Sequence, residues 1–227
     1  MSVDERMVHD IVQKVMANMQ ISGSVSGMHG VFKDMNDAIN ASIEAQKKVC
    51  TMTLDQREQI ISLIRKKTHE NAEILANMGV NETGMGNVGD KILKHHLTAD
   101  KVPGTEDIST IAWSGDRGLT LVEMGPFGVI GAITPATNPS ETVICNCIGM
   151  LAGGNTVVFN PHPNAKKTTI YTINMINEAS IEAGGPDNIA VTVEAPTLDT
   201  SAIMMKHPSI HLLVATGGPG VVTAVLS

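Results

Sequence analysis

The sequence predicts an α/β fold, a doubly wound parallel sheet preceded by a helical segment. Three observations predict it. From residue 129 onward, short apolar strands alternate strictly with helical segments, which is the pattern of βαβ crossovers. Only 2% of the 227 residues are aromatic and 14 are Met, so the core must be Ile, Val, Leu, Met and Ala, as suits a sheet buried on both faces. Apolar residues make up 42% and charged residues 17%, a balance that supports a folded core and not a disordered chain.

Taken in order, Met7 or Val8, Ile11, Val12, Val15, Met16 and Met19 recur at helical spacing among charged residues. This predicts a short amphipathic helix within residues 1–20. Its interrupting charges, and the lack of a small-residue cleavage site after it, exclude a secretory signal. Residues 21–30 are rich in Gly and Ser and read as a flexible linker. A sticky helix on a tether is either a detachable docking element or the first helix of its own domain.

Residues 31–102 read as helical. Phe32, Met35, Ile39 and Ile43 form one stripe, and Thr53 to Gln56 is a capping box that opens a long helix ending near Met78. Glu82–Gly86 interrupts it, Val88–His96 restarts it, and Pro103-Gly104 closes the block. A hairpin is expected over 109–124, with Thr110–Trp113 and Leu119–Glu123 flanking a turn at Ser114–Gly118. Strands follow at Val129–Ile133, Thr156–Phe159, Ile189–Val193 and Ile210–Ala215. Helices are expected at Pro139–Leu151, Ala165–Ala183 and Leu198–Lys206, with another opening at Pro219. That last helix has only Gly220–Ser227 after its proline, so the sheet is expected to be incomplete.

Composition also excludes function classes. Net charge is −7 and no basic run exceeds Arg65-Lys66-Lys67, which argues against nucleic acid as a partner. There is no run of 18 apolar residues to span a membrane. Three cysteines, Cys50, Cys145 and Cys147, are an odd and sparse set that reads as a reduced, intracellular protein. Neither HxxxH nor HExxH occurs, so no metal site is expected. His69, His95 and His96 fall on segments that read as polar helices.

Three strand ends carry the candidate site, because ligands of open α/β sheets bind beyond the carboxyl ends of the strands. Thr134-Pro-Ala-Thr-Asn-Pro139 is stiffened by two prolines. Asn138 there is either the N-cap of the next helix, with Glu141 completing a capping-box-like arrangement, or an amide donor to a developing oxyanion. Thr216-Gly-Gly-Pro-Gly220 precedes a helix and either lets backbone approach a phosphate or is a plain turn. Asn160-Pro-His-Pro163, with Lys166 and Lys167 beyond it, is either ligand-facing or ordinary turn chemistry. Cys145 and Cys147 lie in an apolar helical stretch and read as small hydrophobes before nucleophiles.

Across Pro126-Phe-Gly-Val-Ile-Gly-Ala-Ile-Thr-Pro-Ala-Thr-Asn-Pro139 the sequence resembles the aldehyde dehydrogenase superfamily. Glu82-Thr-Gly-Met-Gly86, Ile144-Cys-Asn146, Val158-Phe-Asn-Pro-His-Pro163 and Ala215-Thr-Gly-Gly-Pro219 narrow the likeness to its CoA-acylating acetaldehyde/propionaldehyde branch from bacterial microcompartments. The resemblance implies the Rossmann-like sheet of that fold and the oxidation of a short-chain aldehyde with CoA and NAD⁺ to acyl-CoA and NADH through a cysteine thioester. NAD is the implied cofactor, with NADP left open, and CoA the co-substrate. Asn138 matches the oxyanion asparagine. Thr134, Pro135, Ala136, Thr137, Asn160, Pro161, His162, Pro196, Thr197, Gly217 and Gly218 match cofactor-binding positions. Asn160-Pro-His-Pro163 departs from the Lys-Pro-x-Glu of ordinary aldehyde dehydrogenases, as the CoA-acylating branch does. The cysteine nucleophile and its domain match nothing in the chain, so the 227 residues alone are expected to be inactive. Residues 1–20 are similar to encapsulation peptides, implying a cytoplasmic protein inside a microcompartment, docked to shell or cargo proteins. The hairpin at 109–124 matches an oligomerisation arm, and homo-oligomers are implied. The competing reading is a non-catalytic nucleotide-binding or microcompartment cargo fragment.

Overall fold

The computed structural model describes residues 27–226. The helix expected within 1–20 and most of the linker expected at 21–30 lie outside the described residues. His29 and Gly30 lie inside the folded body. His29 N donates to Asn174 Oδ1 at 2.8 Å, and Gly30 is buried. The expected bound of 30 is corrected: the folded body already includes residues 29 and 30.

Gly30 holds φ +77°, and a Cβ there would collide with the Asn177 side chain and the Ala190 carbonyl. This close approach pins the entering chain to the sheet as a two-residue strand β1, Val31–Phe32, parallel to β6, Ala190–Val193. The expectation of helix from residue 31 is corrected on this point. The helix α1 begins only at Met35 and runs to Val49, capped by Asp34, which accepts from Asn36 N at 2.8 Å.

The capping box at Thr53 and Gln56 forms as expected and opens α2, Leu54–Thr83. This helix outlasts the expected end at Met78 and stops where Gly84 adopts the left-handed conformation, φ 68°. Its two ends grip other helices. Arg57 Nη1 donates to the carbonyl of Ala152 at 2.5 Å. At the far end Glu82 accepts from the backbone N–H of Lys167 (2.7 Å) and Thr168 (2.8 Å) and from Thr168 Oγ1 (2.7 Å). The next helix, α3, spans Val88–Lys101. A hairpin of β2, Ile111–Gly115, and β3, Gly118–Val122, turns on Asp116-Arg117, and every residue of both strands is exposed. The turn is shorter than expected because Gly115 and Gly118 still pair.

The remaining elements alternate as predicted: β4, Val129–Thr134; α4, Pro139–Ala152; β5, Thr156–Pro161; α5, Lys166–Glu182; β6; α6, Leu198–Lys206; β7, Ile210–Ala215; α7, Pro219–Leu226. The sheet order is β1-β6-β5-β4-β7 and every pairing is parallel. Chain order steps outward from β4 through β5 to β6, then jumps back so that β7 lies on the other side of β4. The switch point between β4 and β7 is where a crevice opens in such sheets.

The strands bury both faces. Ala132, Val157, Phe159 and Ala190 pack with Ile60, Ile61, Ile64, Ile144, Ile148, Ile173 and Ile176 from α2, α4 and α5. Val129, Val158, Val191 and Val193 pack with Met35, Ala38, Ile39 and Met204 from α1 and α6. Neighbouring residues fall on opposite faces, as a period of two requires. Among the described residues Phe159 is the one Phe, Tyr or Trp that is fully buried, with Phe32 and Tyr171 packed at the edges of the two cores.

Candidate active site

The carboxyl ends of β4, β5 and β7 converge. Thr134 stands opposite Pro161 in the sheet register, His162 N donates to Thr134 O at 3.1 Å, and Thr216 N donates to Ile133 O at 3.0 Å. Beyond them lies a crevice of about 480 Å³ bounded by the three loops, by α6 and by the start of α7. Ten of the eleven residues expected to bind cofactor line it: Thr134, Pro135, Ala136, Thr137, Asn160, Pro161, His162, Thr197, Gly217 and Gly218. Pro196 is buried and stands outside its wall. Leu198, Ser201, Met205, Val221, Ala224 and Val225 also line it. Sequence reasoning missed these, although Ser201 and Met205 are one helical turn apart on the helix that follows Thr197.

The crevice suits a dinucleotide. Thr134 Oγ1 is buried in its wall with no hydrogen-bond partner among the described residues. A Cβ on Gly218, in the turn before α7, or on Gly220, in the first turn of α7, would meet nothing within 4 Å, so this corner is open. A glycine turn leading into a helix N-terminus is a phosphate-binding arrangement. Among the described residues no Asp, Glu, Lys or Arg lines the crevice, so this part of its wall offers neither an acid for a ribose 2′-hydroxyl nor a cation for a 2′-phosphate.

Within this wall Asn160 is 4% exposed and fully engaged. Its Nδ2 donates to Ser201 Oγ (2.6 Å) and Thr197 O (3.3 Å), and its Oδ1 accepts from Thr200 Oγ1 (2.8 Å). It fastens the end of β5 to the start of α6. Thr197 forms its own capping box with Thr200, which sets the start of α6.

Asn138 behaves differently. It occupies the N-cap position of α4 at φ −139°, ψ 66°, yet its side chain makes no capping bond. The capping arrangement with Glu141 does not form, because Glu141 is drawn inward to Lys91, 3.3 Å away, and both are buried. The Asn138 amide instead faces a second hollow of about 380 Å³, shared with Lys94, Thr98, Thr142, Cys145 and Asn146. Thr216 borders both hollows. The Thr134–Asn138 loop therefore divides a nucleotide-sized crevice from a smaller chamber holding a free amide donor.

Neither cysteine nearby is prepared as a nucleophile. Cys147 is the buried hydrophobe expected, but Cys145 is exposed on α4, which corrects the expectation for it; partial desolvation still pushes the Cys145 thiol up, and full burial pushes Cys147 up further, with Cys145 beside it adding to the effect. An attacking thiol needs the opposite shift. The expectation for His95 is corrected: it is fully buried, with Nδ1 2.7 Å from Lys91 O and Nε2 2.7 Å from Ser140 Oγ.

Comparisons with known proteins agree with this geometry. The aldehyde dehydrogenase family model matches residues 17–227. An acetaldehyde dehydrogenase (acetylating) from Bilophila wadsworthia is 46% identical over 96% of this chain and 46% of its own length. The structure of a propionaldehyde dehydrogenase from the Clostridium phytofermentans fucose utilisation bacterial microcompartment is 73% identical, with a TM-score of 0.86 over 87% of this chain and 46% of that one. A Rhodopseudomonas palustris propionaldehyde dehydrogenase, with bound CoA and an acylated cysteine, is 48% identical, with a TM-score of 0.84 over 87% of this chain and 45% of that one. The chain spans about half the length of the relatives it matches. With the family model covering all of the described residues and more, the chain belongs to the aldehyde dehydrogenase family.

Proposed function

We propose that this chain supplies the nucleotide-binding half and the oxyanion donor of a CoA-acylating aldehyde dehydrogenase for acetaldehyde or propionaldehyde. The balanced reaction is aldehyde, CoA and NAD⁺ giving acyl-CoA, NADH and a proton. The observation that carries it is the Thr134–Asn138 loop, with a dinucleotide-sized crevice on one side and the uncapped Asn138 amide on the other. A bound dinucleotide would supply the hydride acceptor. Thr134, Gly217 and Gly218 would hold it, and the apolar side chains of α6 and α7 would exclude water around it. The Asn138 Nδ2–H group stabilises the oxyanion formed when a thiolate adds to the aldehyde carbon, a role in which one fixed donor matters greatly. Neither thiol near Asn138 is activated, desolvation pushing both up, so this reading assigns the thiolate to a part of the enzyme outside these 227 residues. The names of the acylating relatives support the reading, including the one that carries CoA and an acylated cysteine.

The test uses the 227-residue chain. It should bind NAD⁺ in a calorimetric titration and form no NADH from propionaldehyde and CoA. Turnover by the chain alone, or the absence of NAD⁺ binding, overturns the reading.

The amphipathic pattern within residues 1–20 supports docking to a microcompartment shell or cargo protein, as does the microcompartment origin of the Clostridium relative. A reporter carrying residues 1–20 that stays outside assembled shells would refute it. The fully exposed β2–β3 hairpin, with Trp113, Leu119 and Leu121 in solvent, supports an oligomerisation arm.

A further inference from the structure

Beneath the Asn138 loop lies a cluster of buried polar groups that the proposed function does not use. Lys91 is 3% exposed, Glu141 7% and Ser140 1%, and His95 is not exposed at all. Charged side chains are almost never buried this deeply unless paired, and a buried ion pair is a poor source of stability compared with apolar packing. The cluster sits at one place in the fold. Lys91, Lys94 and His95 are at i, i+3 and i+4 on α3 and so share one face of the helix. Each of them reaches the segment around Asn138.

Lys91 Nζ donates to the carbonyl of Thr137 at 2.9 Å, fixing the backbone immediately before Asn138. The His95 ring holds the Ser140 side chain, two residues after Asn138. Its Nδ1 lies 2.7 Å from the Lys91 carbonyl, which can only accept, so Nδ1 carries a proton. Burial holds the His95 pKa below its ordinary value, against the upward pull of Glu141, so the ring is neutral near pH 7 and Nε2 accepts. The Ser140 hydroxyl, 2.7 Å away, then gives its one proton to Nε2 in preference to Glu141 Oε2, which it approaches only at 3.2 Å. Lys94 acts on the side chain itself: its Nζ donates to Asn138 Oδ1 at 3.3 Å. An ammonium has three donors and no acceptor, so it can bind only the oxygen end of an amide. The nitrogen end is left to face the chamber.

We propose that α3 is the positioning element of Asn138. Lys94 selects the amide orientation that presents Nδ2–H, while Lys91 holds the Thr137 carbonyl before it and His95 the Ser140 side chain after it. This rests on Asn138 being the oxyanion donor, and it adds three residues that touch neither substrate nor cofactor.

The experiment is nuclear magnetic resonance on the ¹⁵N-labelled 227-residue chain, with the Asn138 side-chain NH₂ pair assigned by its disappearance in Asn138→Asp. Lys94 is exposed, so Lys94→Met should fold normally. The expected result is that the Asn138 pair moves or splits into two orientations in Lys94→Met and returns to its original place in Lys94→Arg. His95→Gln should broaden the same pair. NAD⁺ affinity should stay within about twofold in all three, because the crevice lies across the loop. An Asn138 pair that stays where it is in Lys94→Met overturns the proposal, as does one that Lys94→Arg fails to restore. The oxyanion role has its own measure, the loss of turnover on Asn138→Ala in the active enzyme that also carries the nucleophile, so failure of that reading is recognised separately.

Discussion

Asn138 and Asn160 look alike in the sequence. Each ends a parallel strand or its loop, each is followed by proline, and each faces the switch-point side of the sheet. In the structure they have opposite fates. Asn160 is buried with both ends of its amide bonded to α6, so it is scaffold. Asn138 gives up the cap that its position offers, and only its oxygen is held, by Lys94. An Asn-Pro pair at a strand end therefore does not distinguish a site from its support. The number of partners on the amide does.

That contrast can be broken by mutation. The largest effect is expected for Asn138→Ala: a fall of roughly 10²- to 10³-fold in kcat of the active enzyme, the usual cost of one lost oxyanion donor. Urea unfolding of the variant should be almost unchanged, since no cap or buried bond is lost. Asn160→Ala should do the reverse and lower unfolding free energy by about 1–3 kcal/mol, because Ser201, Thr200 and the Thr197 carbonyl lose their partner. If Asn160→Ala unfolded at the parental urea midpoint, the scaffold assignment would be wrong.

Thr134→Val sharpens the same point within the crevice. Removing a buried hydroxyl without a partner should raise stability by about 1 kcal/mol while weakening NAD⁺ binding. A variant that lost stability would show that the hydroxyl is bonded in the free chain. The two regions should also differ in their response to pH. The groups around Asn160 are hydroxyls and a carbonyl, which do not titrate, whereas His95 lies under the Asn138 loop with its pKa lowered by burial. A lowered histidine pKa means that the unfolded chain takes up the proton first. His95 therefore contributes stability that is complete above the ordinary histidine range and lost as pH falls through it toward the depressed folded value. Unfolding free energy measured over that range should fall less steeply in His95→Gln. The smallest effect is expected at Gly79, in the interior of α2, where a Cβ would meet only the Lys91 stem at 3.8 Å. Gly79→Ala should stabilise by about 0.4–1 kcal/mol, through the unfolded chain, without disturbing Lys91.

These contrasts mark what was legible in the sequence. The strands and helices from Val129 to Ala215 were readable because both faces of the sheet are covered, which makes each strand an unbroken apolar run between turn residues. The crevice was readable because its ligand-facing loops begin where those runs end. β1 was not, because two residues carry no period and the device that places them is the close approach of Gly30 to Ala190. The positioning face of α3 was hidden for a different reason. Lys91 and His95 occupy its buried stripe together with Ala99, and polar residues in a stripe look like a solvated face until their partners from α4 are known. The cap expected at Asn138 failed for the same cause, since Glu141 answers to Lys91.

The two grips of α2 carry a last consequence. Arg57 holds the closing carbonyl of α4, and Glu82 holds the opening N–H groups of α5, so each charge meets the helix end whose dipole favours it. Between them the helix is a gauge bar, roughly 38 Å long at 1.5 Å per residue. Lengthening or shortening it by one residue would swing Glu82 about 100° around the axis, away from α5. Its length is therefore a tolerance of the assembly. Substitutions along the exposed side of α2 should be absorbed, while a single insertion between Arg57 and Glu82 should not.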